Sequence, residues 1–209
     1  MLVKNRMTKD PITADKNTSI SDALYIMKKN DFHRLPIVEN DRIIGLITEG
    51  TIADHTPTKA TSLSIHELNY LLSKTTVEDV MIKDLTIIDP DALLEEAAVE
   101  MRNNNIGCLP VVKDNKLVGI ITQNDIFDAF VDLLGFYTET TRYVIETDKD
   151  TPGTLSLIAD AFLKNQANVT NMAVYHRDGL VDVVIRASNI DPEKVKGNLE
   201  EKGFKVTYQ

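Results

Sequence analysis

The sequence predicts an α+β protein in which a duplicated β-α-β-β-α unit precedes a separate β-α-β-β-α-β unit. The duplication is visible when the chain is shifted by 74 residues: segments 3–54 and 77–128 then align without a gap, and 16 of the 52 aligned positions are identical. About three identities are expected for unrelated segments of mixed composition. A unit this short buries its apolar face only against a partner, and the other copy is the obvious one.

Each copy opens with a short extended segment and a helix. The extended segments are Pro11–Ala14 and Leu85–Asp89, and Ser19 or Asp91 is expected to cap the helix that follows. Apolar residues then recur at helical spacing, as Ile20, Ala23, Leu24 and Met27 in one copy and as Leu94, Ala97, Ala98 and Met101 in the other. This spacing predicts one buried face for each helix.

Two strands and a second helix complete each copy. The strands are predicted at Leu35–Glu39 and Arg42–Thr48, and again at Leu109–Lys113 and Lys116–Thr122, each pair joined by a polar Asn-Asp or Asp-Asn turn. The second helix is expected to start at about Ile52 in one copy and about Asp125 in the other.

The pattern changes from Thr141 onward. Strands are predicted at Arg142–Thr147, Val169–Tyr175, Val181–Ala187 and Phe204–Tyr208, and helices at Thr154–Asn165 and from Asp191-Pro192-Glu193 to Gly203. Gly179 supplies the positive φ that a turn between the middle strands needs. The order β-α-β-β-α-β predicts a ferredoxin-like sandwich.

Charge and composition exclude several classes of partner and location. The net charge is −9, of which −8 falls on residues 1–140, so the chain offers no electrostatic footprint for nucleic acid or an anionic membrane. The single cysteine, Cys108, cannot form an internal disulfide and favours a reducing compartment. Because no signal-like start or spanning apolar run is present, the sequence predicts a cytoplasmic protein.

The repeat resembles the CBS domain, and two copies in tandem resemble a Bateman module. The matching motifs are Arg34-Leu35-Pro36-Ile37-Val38 with Gly45-Leu46-Ile47-Thr48, and Cys108-Leu109-Pro110-Val111-Val112 with Gly119-Ile120-Ile121-Thr122-Gln123-Asn124-Asp125. We therefore expect CBS repeats at 1–56 and 77–136 and a helical linker at 57–76. The linker resembles that of the acetoin utilization (AcuB) family. Within it, Ile65–Leu72 is either a covering helix or an amphipathic interaction helix.

The run Asp150-Thr151-Pro152-Gly153-Thr154-Leu155 resembles the Asp-x-Pro-Gly-x-Leu turn of ACT domains. An ACT domain over residues 141–209 follows from this resemblance, and so does a bound small ligand such as an amino acid. The ligand-binding residues it implies are Asp150, Pro152, Gly153 and Leu155. A CBS pair followed by an ACT domain is also the order found in the AcuB family.

Thr122 and Asp125 are the leading candidates for ligand binding in the CBS pair. They stand where a strand ends and a helix begins, so Asp125 either caps the helix or, with Thr122, bonds a ribose diol beside a phosphate. The CBS resemblance implies the ribose role. Thr51 replaces the aspartate in the first copy, and one hydroxyl cannot take both ribose hydroxyls. Thr48 and Thr51 should therefore form a second, weaker site.

The resemblance further implies that the base pocket comes from the opposite repeat. Ile12 and Phe32 would hold a purine together with Ile120, while His33 and Arg34, with Lys9 nearby, would reach the phosphates. The alternatives are core packing for the apolar residues and a solvated surface position for Arg34. Cys108, the counterpart of Arg34, reads as a small buried residue.

These features predict a non-catalytic regulatory protein, not an enzyme. No nucleophile, phosphate loop or metal-ligand spacing is identifiable, so we expect no metal and no required cofactor. The expected ligand is AMP, ADP, ATP or another adenosine derivative such as S-adenosylmethionine or a cyclic dinucleotide. A homodimer, an unidentified regulated partner and a role in acetoin or butanediol catabolism are also implied by the resemblance. The alternative is a structural dimerisation protein without a nucleotide ligand.

Overall fold

A computed structural model describes residues 1–55, 64–148, 151–177, 179–188 and 191–209 of the chain. The chain divides into two compact units, Met1–Ile126 and Phe127–Gln209, and helix α6 contains the boundary between them. Within the described ranges, no helix is both long enough and apolar enough to cross a bilayer.

The N-terminal unit contains two similar sets of elements. In chain order they are a 3₁₀ turn (Val3–Asn5), β1 (Thr8–Lys9), α1 (Ile20–Lys29), β2 (Arg34–Glu39), β3 (Arg42–Thr48), α2 (Glu49–His55), α3 (Ile65–Lys74), α4 (Val77–Val80), α5 (Leu94–Asn103), β4 (Cys108–Lys113), β5 (Lys116–Thr122) and α6 (Gln123–Leu133).

The two predicted hairpins are confirmed. Strand β2 pairs antiparallel with β3, and β4 pairs antiparallel with β5, in the same register in both copies. The turn residues Asn40 and Asp41 have φ of 52° and 63°, and Asp114 and Asn115 have φ of 49° and 62°. Two consecutive positive φ angles define the turn that matches the right-handed twist of a hairpin, and Asn and Asp tolerate them best.

Two details of the helix predictions are wrong. Helices α2 and α6 begin at Glu49 and Gln123, directly after their strands and earlier than expected. Ser19 does cap α1, accepting from Asp22 N at 3.1 Å, but Asp91 does not cap α5. The Asp91 carboxylate instead accepts from the ammonium groups of Lys4 and Lys113 at 2.6 and 2.9 Å, and these bonds lower its pKa to about 2.

The N-terminal segment of each copy pairs with the sheet of the other copy. In β1, Thr8 pairs with Ile120 and Lys9 with Gly119 of β5, and the equivalent bridge joins Ile82 to Leu46 of β3. Leu46, Cys108 and Ile120 form a buried apolar cluster, with Leu85 packed against it. The two copies are therefore joined by backbone hydrogen bonds and by a shared core.

Helix α3 lies within the predicted linker. A capping box begins it, because Ser64 Oγ accepts from Glu67 N and the Glu67 carboxylate accepts from Ser64 N. Leu72 of this helix packs against the core of the first copy. This contact favours the covering role over a free interaction helix.

The C-terminal unit has the predicted β-α-β-β-α-β order. Its elements are β6 (Thr141–Thr147), α7 (Thr154–Lys164), β7 (Asn168–Arg177), β8 (Leu180–Ser188), α8 (Pro192–Glu200) and β9 (Lys205–Tyr208). The antiparallel sheet has the order β7-β8-β6-β9. Alternate residues of β6, β8 and β9 form one buried core with Ile158, Phe162, Val195 and Leu199 of the two helices. Gly179 and Gly203 have φ of 81° and 89°, as the turns they occupy require.

The last residues of α6 and the turn after it are bonded to strands of the C-terminal sheet. Asn171 Nδ2 donates to the Leu133 carbonyl at 2.9 Å, and Arg186 Nε donates to the Leu134 carbonyl at 2.8 Å. These bonds group the end of α6 with the C-terminal unit.

The contact between the two copies, formed by the β1–β5 pairing, the Ile82–Leu46 bridge and the shared apolar cluster, is called the joint below. Two equivalent glycines test it. A Cβ atom at Gly119 would lie 2.9 Å from the Thr8 carbonyl oxygen, whereas the three atoms nearest to a Cβ at Gly45 all belong to the Met81 side chain. Backbone cannot move as a methionine side chain can, so Gly119→Ala should destabilise the protein by about 1–3 kcal/mol and Gly45→Ala by less. Urea denaturation of the two variants measures the difference. Equal losses would contradict the importance of the β1–β5 contact.

Candidate functional site

The segment Thr122–Asp125 forms a tight hydrogen-bonded turn between β5 and α6. The Asp125 Oδ2 atom accepts from the backbone N–H and from the hydroxyl of Thr122, both at 2.7 Å. Asp125 N donates in return to Thr122 Oγ1 at 3.3 Å. Asp125 Oδ1 has no hydrogen-bond partner in the described part of the chain, so it remains available as an acceptor.

A cleft of about 350 Å³ opens beside Thr122, and we call it the Thr122 cleft. Both repeats contribute to its walls. It is lined by Thr8, Asp10, Pro11, Ile12, Asn30, Phe32, His33, Arg34, Ile120 and Thr122.

The structure brings most of the candidate residues together in this cleft. The six that line it are Ile12, Phe32, His33, Arg34, Ile120 and Thr122. Ile120 is also a buried member of the joint between the repeats, whereas Ile12 is 45% exposed. Core packing therefore accounts for Ile120, and in part for Phe32, which packs against the core of the first copy, whereas nearly half of the Ile12 side chain is exposed.

Two candidates stand beside the lining of the Thr122 cleft. Asp125 is not among the residues that line the cleft, but it is hydrogen-bonded to Thr122, which does line it. Lys9 lies in β1 opposite Gly119, and it is not among the residues that line the cleft. A phosphate role for Lys9 stays a prediction.

A second cleft of about 410 Å³ occupies the equivalent position on the other side of the joint, and we call it the Thr48 cleft. Every lining position of the Thr122 cleft except Asn30 has its counterpart here. These counterparts are Ile82, Asp84, Leu85, Thr86, Ile106, Gly107, Cys108, Leu46 and Thr48. The two clefts are thus related by the repeat, but their chemistry differs.

Thr51 takes the place of Asp125 at the turn of the Thr48 cleft, and its hydroxyl forms hydrogen bonds to Thr48. Its Oγ1 accepts from Thr48 N at 2.8 Å and donates to the Thr48 carbonyl at 2.8 Å. The hydroxyl has one proton, and that proton is already committed. The turn therefore keeps its shape in the first repeat without presenting a free carboxylate oxygen.

Arg34 is the only lysine or arginine among the described residues that line either cleft, and it lines both. Its guanidinium lies against Gly107, where a Cβ would come within 3.2 Å of Arg34 Cζ. His33, which also lines both clefts, bonds through Nδ1 to Glu49 Oε2 at 3.0 Å.

Cys108 is buried beside Arg34. Burial raises the pKa of its thiol to about 11, against a smaller opposing effect of the guanidinium. The thiol is therefore protonated at neutral pH, which fits a packing role and not that of a nucleophile.

Sequence reasoning missed four residues that line the Thr122 cleft: Thr8, Asp10, Pro11 and Asn30. One signal was present, because Asp10 and its counterpart Asp84 are identical in the two copies and each lines a cleft. Asp10 has φ of 45°, a conformation that Asp adopts more readily than most residues. Thr8 could not be found in the same way, since its counterpart is Ile82.

The candidate small-ligand residues of the C-terminal unit lie at the start of α7. Pro152, Gly153 and Leu155 line a depression of about 430 Å³ together with residues of β7 and β8. Gly153 is the N-cap of α7 with φ of 97°, and no side chain caps the helix there. Asp150 lies outside the described residues.

Comparison with known proteins places the two repeats in a family. Residues 3–56 and 77–132 match the CBS domain family. The L-aspartate semialdehyde sulfurtransferase of Methanocaldococcus jannaschii is 35% identical over 62% of this chain. This chain spans only 23% of the length of that enzyme.

Two solved structures are similar to the CBS region. A Vibrio cholerae protein assigned to acetoin utilization (AcuB) is 31% identical, with a TM-score of 0.55, over 66% of this chain and 95% of its own. The CBS domain pair of protein MJ0100, solved with 5′-methylthioadenosine and S-adenosyl-L-methionine, is 33% identical with a TM-score of 0.52. That match covers 62% of this chain and 99% of the MJ0100 pair.

Proposed function

This chain belongs to the CBS domain family, and from that premise we propose that it is a non-catalytic sensor of an adenosine-containing ligand held in the Thr122 cleft. One observation carries the proposal: a single cleft combines Thr122 of one repeat, whose turn is closed by Asp125, with apolar residues and an arginine of the other repeat. CBS-domain proteins are generally regulatory, and the solved MJ0100 pair contains two adenosine derivatives.

Each wall of the cleft suits a different part of such a ligand. The free Asp125 oxygen is suited to accept from the ribose diol, and the Thr122 hydroxyl, which donates to the same carboxylate, holds it in place. Ile12, Phe32 and Ile120 offer apolar surface to the faces of a purine. The Arg34 guanidinium is suited to phosphate oxygens, which it can bind with two parallel hydrogen bonds.

The ligand class includes AMP, ADP, ATP, S-adenosylmethionine and cyclic dinucleotides. All of them share the ribose and the purine, and they differ in the charge that they bring toward Arg34. The presence of one placed cation favours a ligand with phosphate, because the other charged residues in the lining are acidic.

Two observations support a regulatory role without catalysis. Cys108 is protonated and buried, and the matched enzyme shares only a small part of its length with this chain. We infer that ligand binding acts through the geometry of the CBS pair. The likeness to the Vibrio cholerae protein supports a role in acetoin or butanediol catabolism.

We further propose that the C-terminal unit is an ACT domain that binds a small ligand such as an amino acid. Its β-α-β-β-α-β order and the depression lined by Pro152, Gly153 and Leu155 support this assignment. The start of α7, which no side chain caps, suits a carboxylate.

Asp125 and Thr51 form a matched pair for testing the adenosine site. Asp125→Ala should cost about 1–3 kcal/mol of binding free energy, because ribose hydroxyls would be left unpaired in the cleft. Affinity for AMP should fall at least several-fold, whereas Thr51→Ala should change it little. Isothermal titration calorimetry gives both values together with the stoichiometry. Two equal sites per chain would contradict a single site built on Asp125. No heat and no thermal shift with any adenosine derivative would favour a structural dimerisation protein instead.

Arg34→Ala tests the phosphate role separately. The variant should lose about 1.5–3 kcal/mol of affinity for AMP or ATP but much less for adenosine, since only the nucleotides lose a charge-assisted bond. The salt dependence of nucleotide binding should weaken as well. If adenosine and AMP lose affinity equally, Arg34 supports the base pocket or the fold.

A homodimer is the expected assembly. Strand β7 lies at the edge of the C-terminal sheet, is ten residues long, and carries exposed apolar side chains such as Met172 and Tyr175. Such an edge offers unpaired backbone groups to a second strand. Analytical ultracentrifugation at micromolar concentration should return twice the 23.4 kDa chain mass. A sedimenting species at the chain mass alone would contradict this assembly.

A further inference from the structure

We propose that the two clefts of the CBS pair share one phosphate-binding cation, Arg34, so that a phosphate in one cleft is bound at the expense of a phosphate in the other. This inference rests on the proposed adenosine-binding function and adds a form of regulation to it. A shared cation makes the two clefts respond to each other without any movement of the fold.

The position of Arg34 on the joint is the first argument. It begins β2 and pairs in register with Thr48, the residue at the turn of the Thr48 cleft. Its side chain lines the Thr122 cleft as well as the Thr48 cleft. The counterpart of Arg34 is Cys108, so the repeat supplies a cation on one side of the joint only.

The other charges in the two clefts cannot replace Arg34. Asp10 lines the Thr122 cleft, and Asp84 and Glu49 line the Thr48 cleft. His33 already bonds to Glu49. Arg34 makes no ion pair with a carboxylate in the described part of the chain, which leaves its guanidinium available to a ligand.

Gly107 explains why the guanidinium can reach the Thr48 cleft. A Cβ at this position would collide with the terminal nitrogen Nη2 of Arg34 and would lie 3.2 Å from Cζ. The side chain of Arg34 is flexible at this end, so a methyl group at 107 would displace it and leave the backbone in place. Because Gly107 lines only the Thr48 cleft whereas Arg34 lines both, we expect this displacement to withdraw the charge from the Thr48 cleft and to make it more available to the Thr122 cleft.

Two phosphates competing for one guanidinium give an antagonism between the clefts. The phosphate that lacks Arg34 faces a second anion and nearby carboxylates, and it loses a charge-assisted bond. By thermodynamic reciprocity, each phosphorylated ligand must weaken the other by the same factor. An uncharged nucleoside needs no cation, so it can fill one cleft while a nucleotide fills the other.

Single tryptophans can report the two clefts separately, because the chain contains no tryptophan. Phe32→Trp places a fluorophore in the Thr122 cleft, and Ile106→Trp places one at the equivalent position of the Thr48 cleft. Each reporter is titrated with AMP and with adenosine, and the ratio of the two affinities measures the phosphate preference of that cleft.

The decisive variant is Gly107→Ala in both reporter backgrounds. The AMP-to-adenosine preference should rise at the Phe32→Trp reporter and fall at the Ile106→Trp reporter, each by about threefold to tenfold, the size of a weakened charge-assisted bond. Gly197→Ala is the control: its added methyl group would meet no atom within 4 Å, and the residue lies in α8, outside both clefts. It should not move the preference from one cleft to the other.

The outcomes separate the two proposals. Preferences that change in the same direction at both reporters, or that do not change, overturn the shared cation. Adenosine binding without any preference for AMP also overturns the shared cation, but it is consistent with the proposed adenosine site. Absence of a response at both reporters, together with absence of heat when the unsubstituted chain is titrated with either compound, overturns the proposed function itself. Circular dichroism and thermal melting confirm that each variant is folded before it is scored.

Discussion

The exchange of N-terminal segments between the two repeats is the contact on which the site depends. β1 pairs with β5, and the bridge between Ile82 and Leu46 repeats the same contact on the other side. This exchange brings Ile12 to the second repeat, where it lines one cleft with Ile120 and Thr122. Phe32, which lies just before β2, lines the same cleft from the first repeat. Neither repeat alone has both the hydroxyl-and-carboxylate turn and the apolar pocket that go with one cleft.

The two repeats form two clefts with the same backbone arrangement. Differences between their side chains make the clefts chemically different. The backbone geometry of the turns is kept, since Thr48–Thr51 and Thr122–Asp125 are closed by the same pair of hydrogen bonds. The two turns differ in the group that a ligand can use. Asp125 has a carboxylate oxygen that can still accept a hydrogen bond, whereas the Thr51 hydroxyl already donates to Thr48. Arg34 and Cys108 differ in the same way. An asymmetric pair can combine a primary site with a second site that modulates it.

Most of the fold could be predicted from the sequence, because the repeat shows the residue pattern of each helix and strand twice. The hairpin turns at Asn40-Asp41 and Asp114-Asn115 were predictable from residues that accept positive φ, and the helix faces from apolar spacing. The early starts of α2 and α6 were not, since those helices begin directly after the strands without a separating loop. The position of Arg34 between two clefts could not be predicted at all, because it depends on the space that Gly107 leaves on the opposite repeat.

Photoaffinity labelling with 2-azidoadenosine 5′-monophosphate, followed by mass spectrometry of the digested full chain, tests the central claim most directly. If one ligand lies in the Thr122 cleft, adducts should form on peptides from both repeats, around Ile12–Arg34 and around Ile120, and unlabelled AMP should suppress them. Labelling confined to a single repeat, or to the C-terminal unit, would contradict a binding site built across the joint.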